Sequence, residues 1–246
     1  MIQTVLVHAF PWAGHILAAA LLVLLVRRGS WKRLAPVSGY LLLLLLVDAV
    51  GRRYFFYRFG VASLQYAYAY WLTDVLLALG AFLLICALFR RACGAEEKLW
   101  HFIRLVLAFV FILVLGLSLF SLSRNYDHLF SRFITEFQQN LYFTCLVLNT
   151  LLFVLIQQKA LADEELTLLV CGLGIQFAGP AANFALMFLT PGRQIAGDLL
   201  AYVSPLCTLG MLLTWFYAMV RVPKPVPASA GQEAELAAVG VAARNF

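Results

Sequence analysis

The sequence predicts an all-α fold: a polytopic membrane helix bundle of seven transmembrane helices, N-terminus outside and C-terminus inside. Three observations predict it. Of the 246 residues, 63% are apolar and only 12% charged, with a mean hydropathy of +0.89. Soluble domains are about half apolar and about a quarter charged, so this chain has too little polar surface to cover a soluble globule. The apolar residues fall into seven stretches, each near the roughly 20 residues a spanning helix needs. The cationic side chains gather at the ends of those stretches, where membrane proteins keep their flanking charges. The net charge of +6 therefore does not point to nucleic acid, because the basic residues sit at the ends of apolar runs.

The first stretch, 3–26, has no basic segment before it; Arg27 and Arg28 follow it. It is longer than the roughly 7–15 residues of a signal-peptide core, so it reads as a retained first span. The second, 35–56, has a short purely apolar part and must take in Asp48 and Arg52. Six spans plus one interfacial segment is the alternative. The third, 66–90, is entered through "YAYAYW". The fourth is 101–122, the fifth 135–157, the sixth 165–189 with Pro180 inside it, and the seventh 197–220 with Pro205 inside it. The connections "RRGSWKR", "RRACGAEEK", "SRNYDHLFSR", "QKALADEE" and "TPGR" are too short for a soluble domain. Residues 1–221 thus form the transmembrane domain. The tail 222–246, rich in Pro, Ala and Gly, reads as a flexible cytoplasmic extension too short for a catalytic output domain. No internal repeat emerges, which weighs against transporters built from repeated halves.

Orientation follows from Lys and Arg placement. With the N-terminus outside, twelve cationic residues lie inside, in the segments around Arg28, Arg33, Arg91, Lys159 and Arg221 and in the tail. Arg52, Arg53, Arg58, Arg124, Arg132 and Arg193 lie outside. The chain reads as a multi-pass protein of the cell membrane.

This topology assigns depths to the polar residues. His8, Asp48 and Asp74 fall in the outer thirds of the first three spans. Glu136 and Asn140 open the fifth, Asn183 lies in the outer half of the sixth, and Asp198 begins the seventh. A lone charge in hydrocarbon costs at least about 2.5–3.5 kcal/mol on insertion scales, so such groups face the bundle interior or a wet cavity. Several at one depth, beside prolines that free backbone carbonyls, suggest a polar pocket open to the outer side. Tyr66, Tyr70 and Asp74 are four residues apart and share a helical face, so a tyrosine hydroxyl could donate to the Asp74 carboxylate. Trp71 stands beside them. Asp48 and Arg52 have the same spacing and could pair, and Glu136 and Asn140 repeat it. Asp74, Tyr70, Tyr66, Trp71, Asp48, Arg52, Glu136, Asn140 and Asn183 are therefore the candidate ligand-binding residues. Purely structural roles stand beside this reading. The tyrosines and Trp71 suit an interfacial aromatic belt, Asp48–Arg52 a snorkelling pair, and Glu136 and Asp198 complements to helix N-termini.

In the sixth span, Gly174, Ala178 and Ala182 make a small-residue face that lets helices approach closely. Gln176 and Asn183 share another face. Cys86, Cys93, Cys145, Cys171 and Cys207 have neither disulfide-framework nor zinc spacing and read as small apolar fillers. No metal site is expected. Retinal needs a lysine in the middle of the last span. The four lysines, Lys32, Lys98, Lys159 and Lys224, all lie at or beyond inner boundaries, so retinal is excluded. His8 and His15 flank Pro11 seven residues apart, but His101 and His128 sit at opposite membrane boundaries, so haem is not expected either. There is no GxSxG, HExxH or GxGD motif, and no enzyme activity is expected.

The segment "YAYAYWLTDVLLALGAFLLICALFRR", at 66–91, resembles a "YxYWxxE/D" entry to the third helix. That entry recurs in a group of uncharacterised seven-helix integral membrane proteins common in acidobacterial genomes. Tyr70, Trp71 and Asp74 are the matching positions. Elsewhere the likeness is one of helix pattern and length. It implies a bacterial membrane protein and carries no activity with it; the localisation expected for the chain is the bacterial inner membrane.

The functional expectation is a receptor or sensor-like module. Asp74 and its neighbours would bind a small ligand from outside, and the basic inner loops would meet a separate cytoplasmic or membrane partner protein. The lipid bilayer is the other partner, and nucleic acid is not one. Two alternatives stay open: a non-catalytic subunit of a membrane complex, with the sixth span's small-residue face against a partner, and a small-solute or ion transporter. The last needs polar residues through the inner half, where Asn149 and a few hydroxyls offer themselves.

Overall fold

The computed structural model describes residues 2–60, 63–94, 96–122, 129–159, 163–189 and 195–221. Its description excludes the side chains of 2–11, 120–122, 129–132, 135, 183–184, 186–189 and 195–202. The tail 222–246 and the connections at 123–128 and 190–194 lie outside it. Within it the chain is helical throughout: α1 Ile2–Arg27, α2 Ala35–Leu44, a π-helix Leu45–Gly51, α3 Arg52–Phe59, α4 Leu64–Cys93, α5 Glu97–Leu122, α6 Leu129–Gln158, α7 Glu164–Leu189 and α8 Ile195–Arg221. Six helical segments are long and apolar enough to cross a membrane. One is the continuous run Ala35–Phe59 of 25 residues, the segment that looked least comfortable in the sequence. The described part of α1, Trp12–Arg27, is a shorter apolar helix.

Local chemistry sets the boundaries. Ser63 caps α4 by accepting a hydrogen bond from the Tyr66 amide at 3.1 Å. Asp163 does the same for α7 through the Leu166 amide at 3.0 Å. Gly60, at φ 75°, ends α3 in a backbone region that only glycine enters freely.

Six long segments pack in a closed circuit. α1 meets α2, α2 meets α4, α4 meets α6, α6 meets α7, α7 meets α8, and α8 returns to α1. α5 lies outside this circuit against α4 and α6, with Phe102, Leu105, Phe109 and Ile112 all exposed along its outer face. Such a stripe suits contact with lipid. Short connections make successive segments antiparallel, which brings the C-terminal ends of α1 and α8 to the same end of the bundle. Arg28, just past α1, donates to the carbonyls of Met219 and Val220 in the last turn of α8, where a cation complements the helix dipole. This is called the Glu165 end below, and the opposite one the Asp74 end.

The α7–α8 seam is the most extensive helix contact, and glycines make it close. The expected packing face Gly174–Ala178–Ala182 is not the one used against α8. Ala178 and Ala182 are exposed, and Gly174 faces Asn149 of α6. The residues that let α8 approach are Gly172 and Gly179, seven apart, opposite Trp215 and Cys207 respectively. Gly172 and Gly179 share a face two residues off the expected one. Trp215 is fully buried, donates its indole N–H to the Leu169 carbonyl at 3.0 Å and meets the Tyr40 ring edge-on at 6.2 Å. A Cβ at position 172 would lie 2.6 Å from Trp215 Nε1 and 3.3 Å from the Met211 carbonyl oxygen. Neither can give way without breaking the Trp215 hydrogen bond or moving backbone. Gly172→Ala is therefore expected to destabilise the fold by about 1–3 kcal/mol, read as a lower thermal midpoint in detergent. Gly116→Ala is the control, because a Cβ there meets nothing within 4 Å. It should be neutral or stabilising by up to about 1 kcal/mol through the lost glycine entropy.

Candidate functional site

The polar residues of the Asp74 end gather around one guanidinium. The π-helix carries Asp48, and its last turn delivers Arg52 at the start of α3. The i+5 winding spreads the backbone by one residue per turn, and such segments are rare and concentrate at functional sites. Arg52 reaches across to α4. It pairs with Asp74 and donates through Nε to Thr73 Oγ1 at 3.2 Å. Its Nη1 lies 3.0 Å from Asp48 Oδ1, an ionic contact without hydrogen-bond geometry, so Asp48 Oδ1 is buried with no hydrogen-bond partner among the described residues. The guanidinium also sits over the Tyr70 ring, 4.2 Å from its centroid, within cation–π range. Gln138 of α6 donates to Asp74 Oδ2 at 3.3 Å. Three helical segments thus meet at one ionic centre, with two carboxylates around a single cation. Asp48, Arg52 and Asp74 side chains keep only 19–24% of their exposure.

A second layer flanks it. Arg53 stacks on the Trp12 ring of α1 at 3.6 Å, and Trp12 meets His15 edge-on at 6.4 Å. Tyr66 packs on Tyr70 at 6.3 Å and on Phe56 at 6.2 Å, while Trp71 pairs with Tyr68 at 5.7 Å. Tyr66 and Phe56 thus extend the aromatic contact that Tyr70 makes with Arg52.

The expected Asp48–Arg52 pair is present. The tyrosine hydroxyl expected to serve Asp74 is replaced by Arg52 and Gln138, and Tyr70 meets the group through its ring face. Asn140 turns to α5, donating to Ser118 Oγ at 3.3 Å. Glu136 is half-buried and makes no ion pair among the described residues. The side chains of His8, Asn183 and Asp198 lie outside the described residues. Gln138 and Thr73 were not singled out from the sequence. Gln138 had a signal: at spacings of four, three and four with Ile134, Leu141 and Cys145, it falls on the stripe that α6 buries. Thr73 had only its place beside Asp74.

A second ionic cluster stands at the Glu165 end. Glu165, its side chain 5% exposed, accepts from Arg33 on both oxygens at 2.7 and 2.8 Å and from Arg91 at 2.7 Å. Arg91 also reaches Asp163 at 2.7 Å. These bonds tie the start of α2, the end of α4 and the start of α7. Among the described residues no group of three or more His, Cys, Asp or Glu could hold a metal ion, and the five cysteines are free thiols.

Six helices long and apolar enough to cross a bilayer, packed with ionic clusters at each end, define a multi-pass helical membrane protein. No known protein family, curated protein or solved structure matches the chain.

Proposed function

We propose that this is a seven-span receptor-like module of a bacterial inner membrane, with the Asp74 end outside and the Glu165 end in the cytoplasm. The observation that carries the reading is Asp48. Two carboxylates from separate segments share one guanidinium, and a buried oxygen of Asp48 has no hydrogen-bond partner among the described residues. That oxygen is ion-paired to Arg52 but not hydrogen-bonded, and a small ligand carrying an ammonium or other strong donor would complete its bonding. Such a ligand would compete for Arg52's hold on Asp48. The ionic centre joins the α2–α3 segment to α4 and α6, so a change there alters how those helices meet. The π-helix under Asp48 is an element able to rewind by one residue. The expectation that the basic end faces inward rests on the Lys and Arg excess there.

The test is a thermal-shift screen of small organic cations on the purified chain, followed by calorimetry. A cation that stabilises the wild type should lose at least about tenfold in affinity in Asp48→Asn, since a charged partner of this kind contributes 1.4 kcal/mol or more. Equal affinity for both proteins would sink the reading. The exposed face of Ala178 and Ala182 favours a second reading, a subunit of a membrane complex, because small residues at helix surfaces allow close approach by another span. Copurification of a fixed partner in mild detergent, lost in Ala178→Leu, would support it.

A further inference from the structure

We infer that the groove between α2 and α4 is a binding site for an anionic phospholipid, with one acyl chain lying against Gly39 and Leu83 and the phosphate held by Lys32 and Arg90. The groove has a volume of about 230 Å³ and is lined by Pro36, Gly39, Tyr40, Leu43, Gly80 and Leu83, with Leu84 behind. That is smaller than the roughly 300–1,000 Å³ of a small-molecule pocket. It is open along one side, almost wholly apolar, and its rim residue Leu83 is 66% exposed. A chain can lie in such a groove; a polar solute gains nothing there.

The charges supply the headgroup site. On α4 the lining residues Gly80, Leu83 and Leu84 continue through position 87 to Arg90, seven residues beyond Leu83 and on the same face. On the other wall, Lys32 lies four residues before Pro36 in the turn that leads into α2, where the amide of Leu34 already bonds back to the Ser30 carbonyl. Both ends reach one level, because Arg33 and Arg91, their sequence neighbours, hold the same Glu165 carboxylate. Those two cations are consumed by Glu165. Lys32 and Arg90 are exposed and make no ion pair among the described residues. Lys32 rests over the Trp31 ring at 5.7 Å, and Trp31 is 51% exposed, the amphipathic residue expected at headgroup level. An apolar slot that ends in two unpaired cations beside an interfacial tryptophan complements a lipid with one negative headgroup.

The test titrates the full chain in detergent with phosphatidylglycerol or phosphatidylcholine of identical acyl chains and follows thermal unfolding. Phosphatidylglycerol should bind more tightly. Lys32→Ala and Arg90→Ala should each weaken it by about fivefold, the worth of one interfacial cation, and leave phosphatidylcholine unchanged. Gly39→Leu should weaken both lipids by filling the slot. A Cβ at Gly39 meets nothing within 4 Å, and leucine favours the helix, so this variant is expected to fold, checked by its own thermal midpoint without lipid. Equal binding of the two lipids by the wild type would overturn the inference, as would cation variants that bind phosphatidylglycerol like the wild type. So would a Gly39→Leu chain that changes oligomeric state instead of lipid affinity, since a protein helix would then be the occupant.

Discussion

Arg52→Ala is expected to destabilise the protein by about 3 kcal/mol, the lower end of the range for removing one member of a buried ion pair. The lower end applies because the Arg52 and Asp74 side chains each retain 19% exposure. The cost comes less from the lost attraction than from what is left behind. Among the described residues Asp74 would keep only the weak Gln138 donor at 3.3 Å, and Asp48 would lose the guanidinium it is paired with. Two carboxylates in low-dielectric surroundings would then repel each other. The cation–π contact with Tyr70 would go as well, worth about 0.5–2 kcal/mol. Arg52→Lys should recover part of the loss, since an ammonium restores charge but cannot serve Asp74, Asp48 and Thr73 together as the planar fork does. The triple change Arg52→Leu, Asp48→Asn, Asp74→Asn should recover more, because it removes every charge at once. Chemical or thermal unfolding in one detergent checks all three. If Arg52→Ala cost under about 0.5 kcal/mol, the cluster would be behaving as a solvated surface pair, and the ligand site built on it would fall too.

The helical bundle was legible in the sequence because its cause is gross. A chain this apolar has nowhere to fold except in lipid, and there backbone groups must be satisfied within each helix. Predicted and observed segments differ mainly by a turn at the ends, most at α6, which begins at Leu129 where 135 was expected. That turn, "LFSRFI", carries Ser131 and Arg132, and an apolar count stops there although the helix does not. The Asp48–Arg52 pair was legible because i and i+4 adjacency is local. Its link to Asp74 was not, because it depends on which faces of two segments meet. A seven-residue π-helix rotates that register in a way no 3.6-residue pattern encodes. The small-residue face of α7 shows the same limit. Gly174–Ala178–Ala182 and Gly172–Gly179 are equally plausible stripes on paper. Only the bulk of Trp215, which needs the space above Gly172, selects the second. The Glu165 cluster left no sequence signal beyond charges at helix ends, where flanking charges are expected anyway.

That cluster carries the other large expected effect. Glu165→Gln should cost about 3–5 kcal/mol, the range for breaking a buried charge network, while Glu164→Gln beside it should cost no more than about 1 kcal/mol. The two residues are adjacent, acidic and in the same first turn of α7, so composition and dipole effects cancel between them. They differ in burial and partners. Glu165 is 5% exposed and gives both oxygens to Arg33 and one also to Arg91. Glu164 is 57% exposed, with Arg221 3.8 Å away. Without the Glu165 charge, Arg33, 41% exposed, can turn to solvent. Arg91 cannot: among the described residues it would keep only Asp163, and its Nη1 is already buried with no partner there. Asp163→Asn separates charge from capping, because asparagine can still accept from the Leu166 amide. It should fall between the two glutamate variants. Proteolysis offers an independent reading, since Glu165 holds together the start of α2 and the end of α4. Losing it should raise cleavage around residues 28–34 and 93–97 while the α7–α8 seam stays protected. Unfolding midpoints equal for Glu165→Gln and Glu164→Gln would mean that the three helix ends are held by lipid and packing alone, and that the carboxylate between the two arginines contributes nothing to their closure.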